Sequence, residues 1–327
     1  SNQISMKKAY VVGIDIGGTN TVFGIVDARG NVLATNSIKT QKHDVLDDYV
    51  EELYQGLSKL VNDNVGFDQI KGIGVGAPNA NYFTGTIEHA PNLPWKGIIP
   101  FAQILSDKFG VPVAITNDAN AAAIGEMTYG AARGMRDFVM VTLGTGVGGG
   151  VVSNGQLIYG NDGNAGELGH ITMRRQNGRL CGCGLTGCLE AYASATGVAR
   201  SAREFLESRK EEESRLRDIP LEQITSKDVY DAAVSGDKIA QDIFSFTGQI
   251  LGEAFANFVH FCSPEAIIVF GGLAKAGDLL FAPARESMEK NLMPVFRGKV
   301  KVIPSMLKEA DAAVLGASAL AWEIKED

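Results

Sequence analysis

Three of the chain's four cysteines lie within one short segment, residues 164–190, which reads NAGELGHITMRRQNGRLCGCGLTGCLE. They are Cys181, Cys183 and Cys188, and a histidine, His170, lies upstream of them in the same segment. Three thiolates and one imidazole form the ligand set of a closed tetrahedral zinc site. The glycines between the cysteines permit the positive φ angles with which a short loop wraps around one ion. Free buried cysteines are the alternative interpretation, but this spacing favours zinc.

Two carboxylates flank the expected metal ligands. Glu167 stands three residues before His170, and Glu190 follows Cys188 by two residues. A metal that holds such a loop in place also fixes the directions of the polar side chains on it. We therefore expect the loop to present Glu167 and Glu190 to a polar ligand.

Three glycine-containing turns each follow a short β-rich run. They are Gly17-Gly18-Thr19-Asn20, Gly144-Thr145-Gly146 and Gly271-Gly272. Glycine allows backbone N–H groups to approach phosphate oxygens closely, and threonine adds a hydroxyl donor. One such turn would be weak support. Because the first two repeat one pattern and a third is present, the set favours a site for nucleotide phosphates.

Other interpretations of these turns fit less well or stay open. Residues 144–149 match G-x-G-x-x-G, but a dinucleotide-binding fold requires a helix after that motif, and VVSNGQL has the composition of a strand. Asp15 precedes the first turn. Its carboxylate could hold Mg²⁺ near the phosphates or accept hydrogen bonds from the turn itself.

The elements that must position these residues occur twice. YVVGIDIGGTNTVFGIVDARG and FVMVTLGTGVGGGVVSNGQL share one plan, in which two β runs are joined by a glycine–threonine turn and followed by a polar turn. We interpret this as an internal duplication that produces two α/β halves, with a ligand expected in the cleft between them. Apolar spacing predicts the remaining elements. The expected strands are 32–38, 70–75, 113–116, 266–270 and 300–303, and the expected helices are 44–64, 98–109, 119–129, 194–208, 226–234, 238–261, 278–291 and 312–322.

Composition limits the class of protein. A chain of 327 residues suggests two domains. The formal net charge of −8 argues against a general nucleic-acid or anionic-membrane surface, and no apolar run reaches the length of a membrane span. We find no export signal, and clustered zinc-type cysteines are typical of a reducing compartment, so we expect a cytoplasmic protein.

Taken together, the motifs resemble those of the ROK family (repressor, open reading frame, kinase), within the actin-like ATPase superfamily. The matching pieces are DIGGTN, GVGAP, NDANAAA, TLGTGVGGG, GELGH, CGCGLTGCLE and VFGG. They occur in the family's order along the whole chain, and LEAYASATG resembles bacterial glucokinases most. The resemblance implies two actin-like, ribonuclease H-like domains. The first would comprise residues 1–116 and a returning helix at 310–327, and the second residues 117–309 with the zinc loop.

The resemblance also implies an activity and a set of site residues. The activity is transfer of the ATP γ-phosphoryl group to the 6-hydroxyl of a hexose, with Asp118 as the catalytic base. Sugar hydroxyls would be bound by Asn117, Glu167, His170 and Glu190, and by Asp118 itself. His170 would place one ring nitrogen on zinc and the other on the sugar. Asp15 and the three glycine turns would bind ATP with Mg²⁺, and relatives suggest a homodimer.

Alternatives remain within and beyond this activity. Many relatives carry glycine after Ala77-Pro78, whereas Asn79 follows here, so the preferred hexose is open between glucose, N-acetylmannosamine, N-acetylglucosamine and fructose. Asn92 matches a position that some relatives use near the sugar. Other ROK proteins are sugar-responsive repressors with a helix-turn-helix domain before the first strand. The expected first strand near Tyr10 and the acidic charge favour a kinase over such a regulator.

Overall fold

The computed structural model describes residues 7–325 of the chain. Thirteen β-strands and nine α-helices lie in this part of the chain. The strands are β1 (Tyr10–Ile16), β2 (Asn20–Asp27), β3 (Val32–Lys39), β4 (Ile70–Gly76), β5 (Ala80–Asn81), β6 (Thr86–Glu88), β7 (Ile98–Ile99), β8 (Val113–Thr116), β9 (Phe138–Leu143), β10 (Val147–Ser153), β11 (Gln156–Leu157), β12 (Ala266–Phe270) and β13 (Lys301–Pro304). The helices are α1 (Leu46–Asn64), α2 (Phe101–Phe109), α3 (Asp118–Tyr129), α4 (Glu190–Ala193), α5 (Ala195–Ser208), α6 (Ser226–Val234), α7 (Lys238–Cys262), α8 (Asp278–Lys290) and α9 (Glu309–Trp322).

The chain forms two compact units. Unit 1 comprises Ser1–Gly134, Tyr159–Ala165 and Met306–Asp327, and unit 2 comprises Met135–Ile158 and Gly166–Ser305. Unit 1 thus includes α3 as well as the segment 1–116, because α3 packs against the C-terminal helix α9.

Each unit contains a five-stranded sheet of the same plan. The strand order is β3-β2-β1-β4-β8 in unit 1 and β11-β10-β9-β12-β13 in unit 2. In both sheets the first three strands are antiparallel, and the middle strand is parallel to the last two. The repeated plan expected from the sequence is confirmed, and it places the first two glycine turns at equivalent positions.

Alternation along β1 divides the core of unit 1 between the two faces of its sheet. Val12, Ile14 and Ile16 face the core with α1 and α2, whereas Val11 packs with residues of α9. The approach of α9 is close, because a Cβ at Gly13 would lie only 2.2 Å from the carbonyl oxygen of Val314. Glycines in the strands and alanines in the helix therefore let α9 lie directly on the sheet.

Unit 2 is built around α7, a helix of 25 residues that is buried along most of its length. It packs against α8, and the close contact uses Gly252, where a Cβ would lie 2.3 Å from the carbonyl oxygen of Ala284. This density of apolar residues agrees with the buried helix expected at 238–261. Among residues 7–325, no helix has the length and apolar character needed to cross a membrane.

Most expected elements are confirmed within a few residues of their bounds, with one clear difference. The segment 98–109 was expected to be a single helix, but Ile98–Ile99 forms β7 and α2 begins at Phe101. Pro100 lies between them and disfavours helical geometry in the residue before it.

Candidate active site

Unit 1 brings two of the expected site residues together at one edge of its sheet. β1, β4 and β8 are parallel neighbours, and Asp15 on β1 is in register with Gly76 on β4. Asn117 and Asp118 directly follow β8. A hydrogen bond joins the carboxyl groups of Asp15 and Asp118. The two carboxyl groups, which lie far apart in sequence, therefore form one cluster at the carboxyl ends of the parallel strands.

The pKa values of both carboxyl groups are raised above that of free aspartate. Burial raises the pKa of Asp15. Weakened hydration among the surrounding protein atoms and the negative charge of Asp15 raise the pKa of Asp118. Asp118 is exposed in the folded chain, and repulsion from the nearby carboxylate of Asp15 disfavours its ionised form. A pair of this kind suits a proton acceptor and a cation-binding group.

The start of α3 separates the roles of Asn117 and Asp118. Asn117 is the N-cap residue, and its Oδ1 accepts a hydrogen bond of 2.9 Å from the backbone N–H of Asn120. Asp118 is the first residue of the helix, so its neighbour Asn117 provides the cap and Asp118 does not. The side-chain NH₂ of Asn117 and the carboxylate of Asp118 are not used by this cap.

The first glycine turn is held by a residue that the sequence analysis missed. The backbone N–H of Gly17 closes the turn by donating to the carbonyl oxygen of Asn20 at 2.9 Å. The side-chain amide of Gln41 donates to the carbonyl oxygens of Gly18 at 2.6 Å and of Asn92 at 2.9 Å. It thereby ties the turn to the loop containing Asn92. No spacing or composition marks Gln41, because its function comes only from the folded chain.

Asn79, the departure from the family pattern, occupies a position that glycine also suits. Its φ is 57°, in the left-handed region that asparagine tolerates better than most residues. Its side-chain NH₂ donates to the carbonyl oxygens of Glu88 and His89, at 3.0 and 3.1 Å. The substitution therefore preserves the backbone conformation and adds a brace across this loop.

Unit 2 gathers the four expected metal ligands into one cluster. The ligand atoms of His170, Cys181, Cys183 and Cys188 all lie within 4.8 Å of one another. The Sγ of Cys181 is 3.7 Å from the Nδ1 of His170, and the Sγ atoms of Cys183 and Cys188 are also 3.7 Å apart. Ligands of a tetrahedral zinc ion are about 3.8 Å apart when the Zn–S distance is about 2.3 Å. The residues present thus fit a zinc ion.

Strand β10 explains how His170, the expected histidine ligand, is placed. A short 3₁₀ turn, Leu168–His170, lies against this strand. A Cβ at Gly169 would be 2.1 Å from the carbonyl oxygen of Val147, and one at Gly149 would be 2.5 Å from the Cγ of Leu168. The glycines of the GVGGG motif therefore permit close packing along a strand. This agrees with the expectation that a strand, and not the helix of a dinucleotide-binding fold, follows the motif. Glu167, just before the turn, is exposed.

Glu190 connects the cluster of His170 and the three cysteines to the second glycine turn. One carboxylate oxygen accepts a hydrogen bond of 2.9 Å from the backbone N–H of Val147. The other is 3.7 Å from the Sγ of Cys181. A Cβ at Gly146 would lie 2.4 Å from this carboxylate, so a larger residue there would displace the Glu190 side chain from its present position. The sequence indicated Glu190 as a ligand-binding residue but not this contact with the turn.

The second and third glycine turns lie at the same edge of the sheet in unit 2. β9 and β12 are parallel neighbours, and the turns follow their carboxyl ends. Gly271 has a φ of 110°, and a Cβ there would lie 2.3 Å from the carbonyl oxygen of Leu143. At Gly144 and Gly272, in contrast, an added Cβ would meet no atom within 4 Å. The backbone at these two positions therefore has open space in front of it.

Two sheets of this repeated order, with carboxylates and glycine turns at their strand ends, define the actin-like ATPase fold. The model of the ROK family matches residues 11–324, and the chain belongs to that family. It is 37% identical over 329 residues to a glucokinase of Halalkalibacterium halodurans, covering 98% of this chain and 96% of the relative. It is 35% identical over 320 residues to a glucokinase of Thermotoga maritima, covering 97% and 99%.

A solved structure extends the comparison. A ROK family glucokinase from Streptomyces griseus, in complex with glucose and AMPPNP, superposes with a TM-score of 0.78 at 32% sequence identity. The match covers 96% of this chain and 100% of that protein.

Proposed function

We propose that this protein transfers the γ-phosphoryl group of ATP to the 6-hydroxyl of glucose. The observation that carries the proposal is the pair formed by Asp118 and Asp15 at the strand ends of unit 1, which provides an accessible carboxylate beside a second one. The full-length similarity to glucokinases, one of them bound to glucose and an ATP analogue, supports the choice of substrates.

Asp118 is the general base in this proposal. As the oxygen of the sugar hydroxyl forms its bond to the γ-phosphorus and the bond to the ADP oxygen breaks, the hydroxyl proton passes to the Asp118 carboxylate. Its raised pKa makes Asp118 a better proton acceptor than an ordinary aspartate, provided that the pH is high enough to ionise it.

Four further residues bind and orient the sugar in our proposal. The NH₂ of Asn117 donates to a hydroxyl oxygen, and the carboxylates of Glu167 and Glu190 accept from hydroxyl groups. His170 directs Nδ1 toward the thiols, which leaves Nε2 for a sugar hydroxyl. Zinc, when bound by His170 and the three cysteines, would supply a rigid anchor for the loop that carries these groups.

The nucleotide phosphates are bound by the glycine turns. The open backbone at Gly144 and Gly272 supports this assignment, and the turn at 17–20 offers a further set of N–H groups. Asp15 would hold the Mg²⁺ that accompanies ATP and neutralises phosphate charge. The expected homodimer and cytoplasmic location remain predictions.

The test is a coupled assay of initial rates with ATP–Mg²⁺ and four sugars at equal concentrations: glucose, N-acetylmannosamine, N-acetylglucosamine and fructose. We expect the highest kcat/KM with glucose. A higher kcat/KM with one of the other three sugars would reassign the substrate within the family. Absence of phosphorylation with every sugar would favour a non-catalytic, sugar-sensing role.

A further inference from the structure

Arg179 is a buried cation within residues 164–190, the proposed metal-binding loop, and lies two residues before Cys181. Its side chain is 5% exposed. The guanidinium carbon lies 4.6 Å from the ring centre of Tyr192 and 5.7 Å from that of Phe246. Burying a charge is costly unless hydrogen bonds and an opposite charge compensate for it. The partners of Arg179 therefore show what this residue holds together.

The guanidinium group contacts the two helices that follow the metal-binding loop. Nη1 donates to the carbonyl oxygens of Ala191 in α4 and Gly197 in α5, at 3.0 and 3.3 Å. Nη2 donates to the hydroxyl of Ser201 at 2.9 Å and to the carboxylate of Glu204 at 2.7 Å, both in α5. One side chain thus joins the metal-binding loop to the N-terminal end of α4, where Glu190 lies, and to α5.

The beginning of α5 in turn holds the second glycine turn. The backbone N–H of Ala195 donates to the carbonyl oxygen of Gly144 at 2.8 Å. The hydroxyl of Thr196 donates to the carbonyl oxygen of Thr145 at 3.0 Å. A continuous set of contacts therefore runs within unit 2 from the metal-binding loop, through Arg179 and α5, to residues 144–146.

We propose that Arg179 is a positioning residue through which the metal-binding loop orders the turn at 144–146 for nucleotide phosphates. The loop would then determine nucleotide affinity as well as sugar affinity. This inference rests on the proposed function, because it takes that turn as a phosphate-binding element. Arginine suits the role because its planar group directs several donors at once, whereas lysine has one ammonium centre.

The test is the variant Arg179→Lys, which keeps the positive charge but loses the forked geometry. Binding of AMPPNP with Mg²⁺ is measured by calorimetry, together with zinc content and melting temperature. We expect the Kd for AMPPNP to rise by about 10-fold, the lower range for residues that orient a site without touching the ligand. Zinc content should be unchanged, because Arg179 is not one of the four clustered residues.

Arg174→Lys is the matched control. Arg174 lies in the same loop, and its guanidinium group donates to the carbonyl oxygen of Met173 at 2.8 Å and to the carboxylate of Glu253 on α7 at 2.9 Å, rather than to α4 or α5. We expect its Kd for AMPPNP to equal that of the unaltered protein. An equal rise in both variants would assign the effect to general loosening of the loop and overturn the inference.

A double-mutant cycle tests the connection itself. Thr196→Val removes the hydrogen bond from the Thr196 hydroxyl to the carbonyl oxygen of Thr145. As a single substitution, it should raise the Kd for AMPPNP. Its effect should be smaller in the Arg179→Lys background, because the connection is already broken there. Strictly additive effects would contradict the inference.

Further outcomes are separable from the proposed function. If the unaltered protein does not bind AMPPNP, the proposed function fails. If it binds AMPPNP and phosphorylates glucose while Arg179→Lys binds AMPPNP equally well, only this inference fails. Should Arg179→Lys not fold, Ser201→Ala replaces it, since it removes one guanidinium partner. A rise in the Kd of Ser201→Ala for AMPPNP, smaller than the roughly 10-fold expected for Arg179→Lys, would then support the inference, and an unchanged Kd would overturn it.

Discussion

At the scale of single residues, the same side-chain type serves two different tasks in unit 1. Asp118 is accessible and begins a helix that its neighbour Asn117 caps. Asp15 is more enclosed and lies at the end of a central strand. Burial makes Asp15 harder to ionise, and loss of hydration together with the negative charge of Asp15 does the same for Asp118. This is a cost to folding that proteins tolerate at sites where the shifted pKa serves the chemistry.

Replacing Asp118 with asparagine separates catalysis from structure. Asparagine keeps the shape of the side chain but cannot take a proton from the sugar hydroxyl. We expect Asp118→Asn to lower kcat by roughly 10²–10⁴-fold, the scale of general-base removal. The melting temperature should be retained because Asn117 provides the cap. A folded variant with kcat within a few-fold of the unaltered protein would rule Asp118 out as the base.

The carboxylate pair also predicts how stability depends on pH. Both folded-state pKa values are raised above those of free aspartate, so the folded state holds its protons more tightly than the unfolded state does. The folded state is therefore destabilised as pH rises through the raised pKa values of the folded state. Below the pKa of aspartate in the unfolded chain, the two groups cause no destabilisation. Asp15→Asn should consequently raise the melting temperature at pH 8 without added Mg²⁺, and the gain should vanish near pH 4.

Asp27 is a control of opposite sign for this pH effect. Its carboxylate accepts hydrogen bonds from the N–H groups of Arg29 and Asn31, at 2.9 Å each, and although burial opposes them, these bonds lower its pKa. Asp27→Asn should therefore reduce the melting temperature at pH 8, with a smaller reduction as pH falls through the lowered pKa. Equal behaviour of the two variants across the pH range would contradict the assignment.

At the scale of elements, the metal-binding loop carries most of the proposed sugar contacts. His170 lies on the 3₁₀ turn that packs on β10, and Glu190 begins α4 two residues after Cys188. Because Glu190 also accepts from Val147, movement of this loop would disturb more than one part of the site.

Loss of a zinc ligand should therefore reduce zinc content and sugar affinity together. We expect Cys183→Ser to lose most of its zinc, measured by elemental analysis, and to raise the KM for glucose by about 10-fold or more. Cys262→Ser is the control, because Cys262 lies on α7 and its Sγ donates to the carbonyl oxygen of Phe258. If protein that is freshly purified without a chelator contains no zinc, the metal assignment is contradicted.

The packing of α9 on the sheet of unit 1 depends on glycine in the strands. A Cβ at Gly74 would lie 1.9 Å from the carbonyl oxygen of Ala317, so the helix would have to move. We expect Gly74→Ala to lower the free energy of unfolding by about 1–3 kcal/mol or more, as overpacking does. Urea unfolding followed by tryptophan fluorescence reports this change, because Trp95 and Trp322 both lie in unit 1.

Gly18→Ala provides the comparison for Gly74→Ala. An added Cβ at Gly18 would lie 3.4 Å from the nearest atoms, which is ordinary contact. We expect its unfolding midpoint to change little. If both variants unfold at the same urea concentration, the close approach of α9 does not limit stability.

At the scale of the whole molecule, the residues that the proposed function uses belong to both units. Unit 1 contains Asp15, Asp118 and the first glycine turn, and unit 2 contains the cluster of His170 with three cysteines and the other two turns. A ligand that binds the folded protein stabilises it by about 2.7 kcal/mol at a concentration of 100 Kd. Glucose should therefore raise the melting temperature, whereas L-glucose at the same concentration should not. An equal shift with both enantiomers would indicate a solvent effect rather than a sugar site.

The repeated strand plan, the set of candidate metal ligands and most helices could be predicted from the sequence. These depend on apolar periodicity, glycine turns and ligand spacing, all of which are local in the chain. The tertiary structure alone decided the pairing of Asp15 with Asp118, the brace of Gln41 and the connections made by Arg179. Those contacts join residues from different strands and loops, and only the parallel register and the close packing of the elements bring them together.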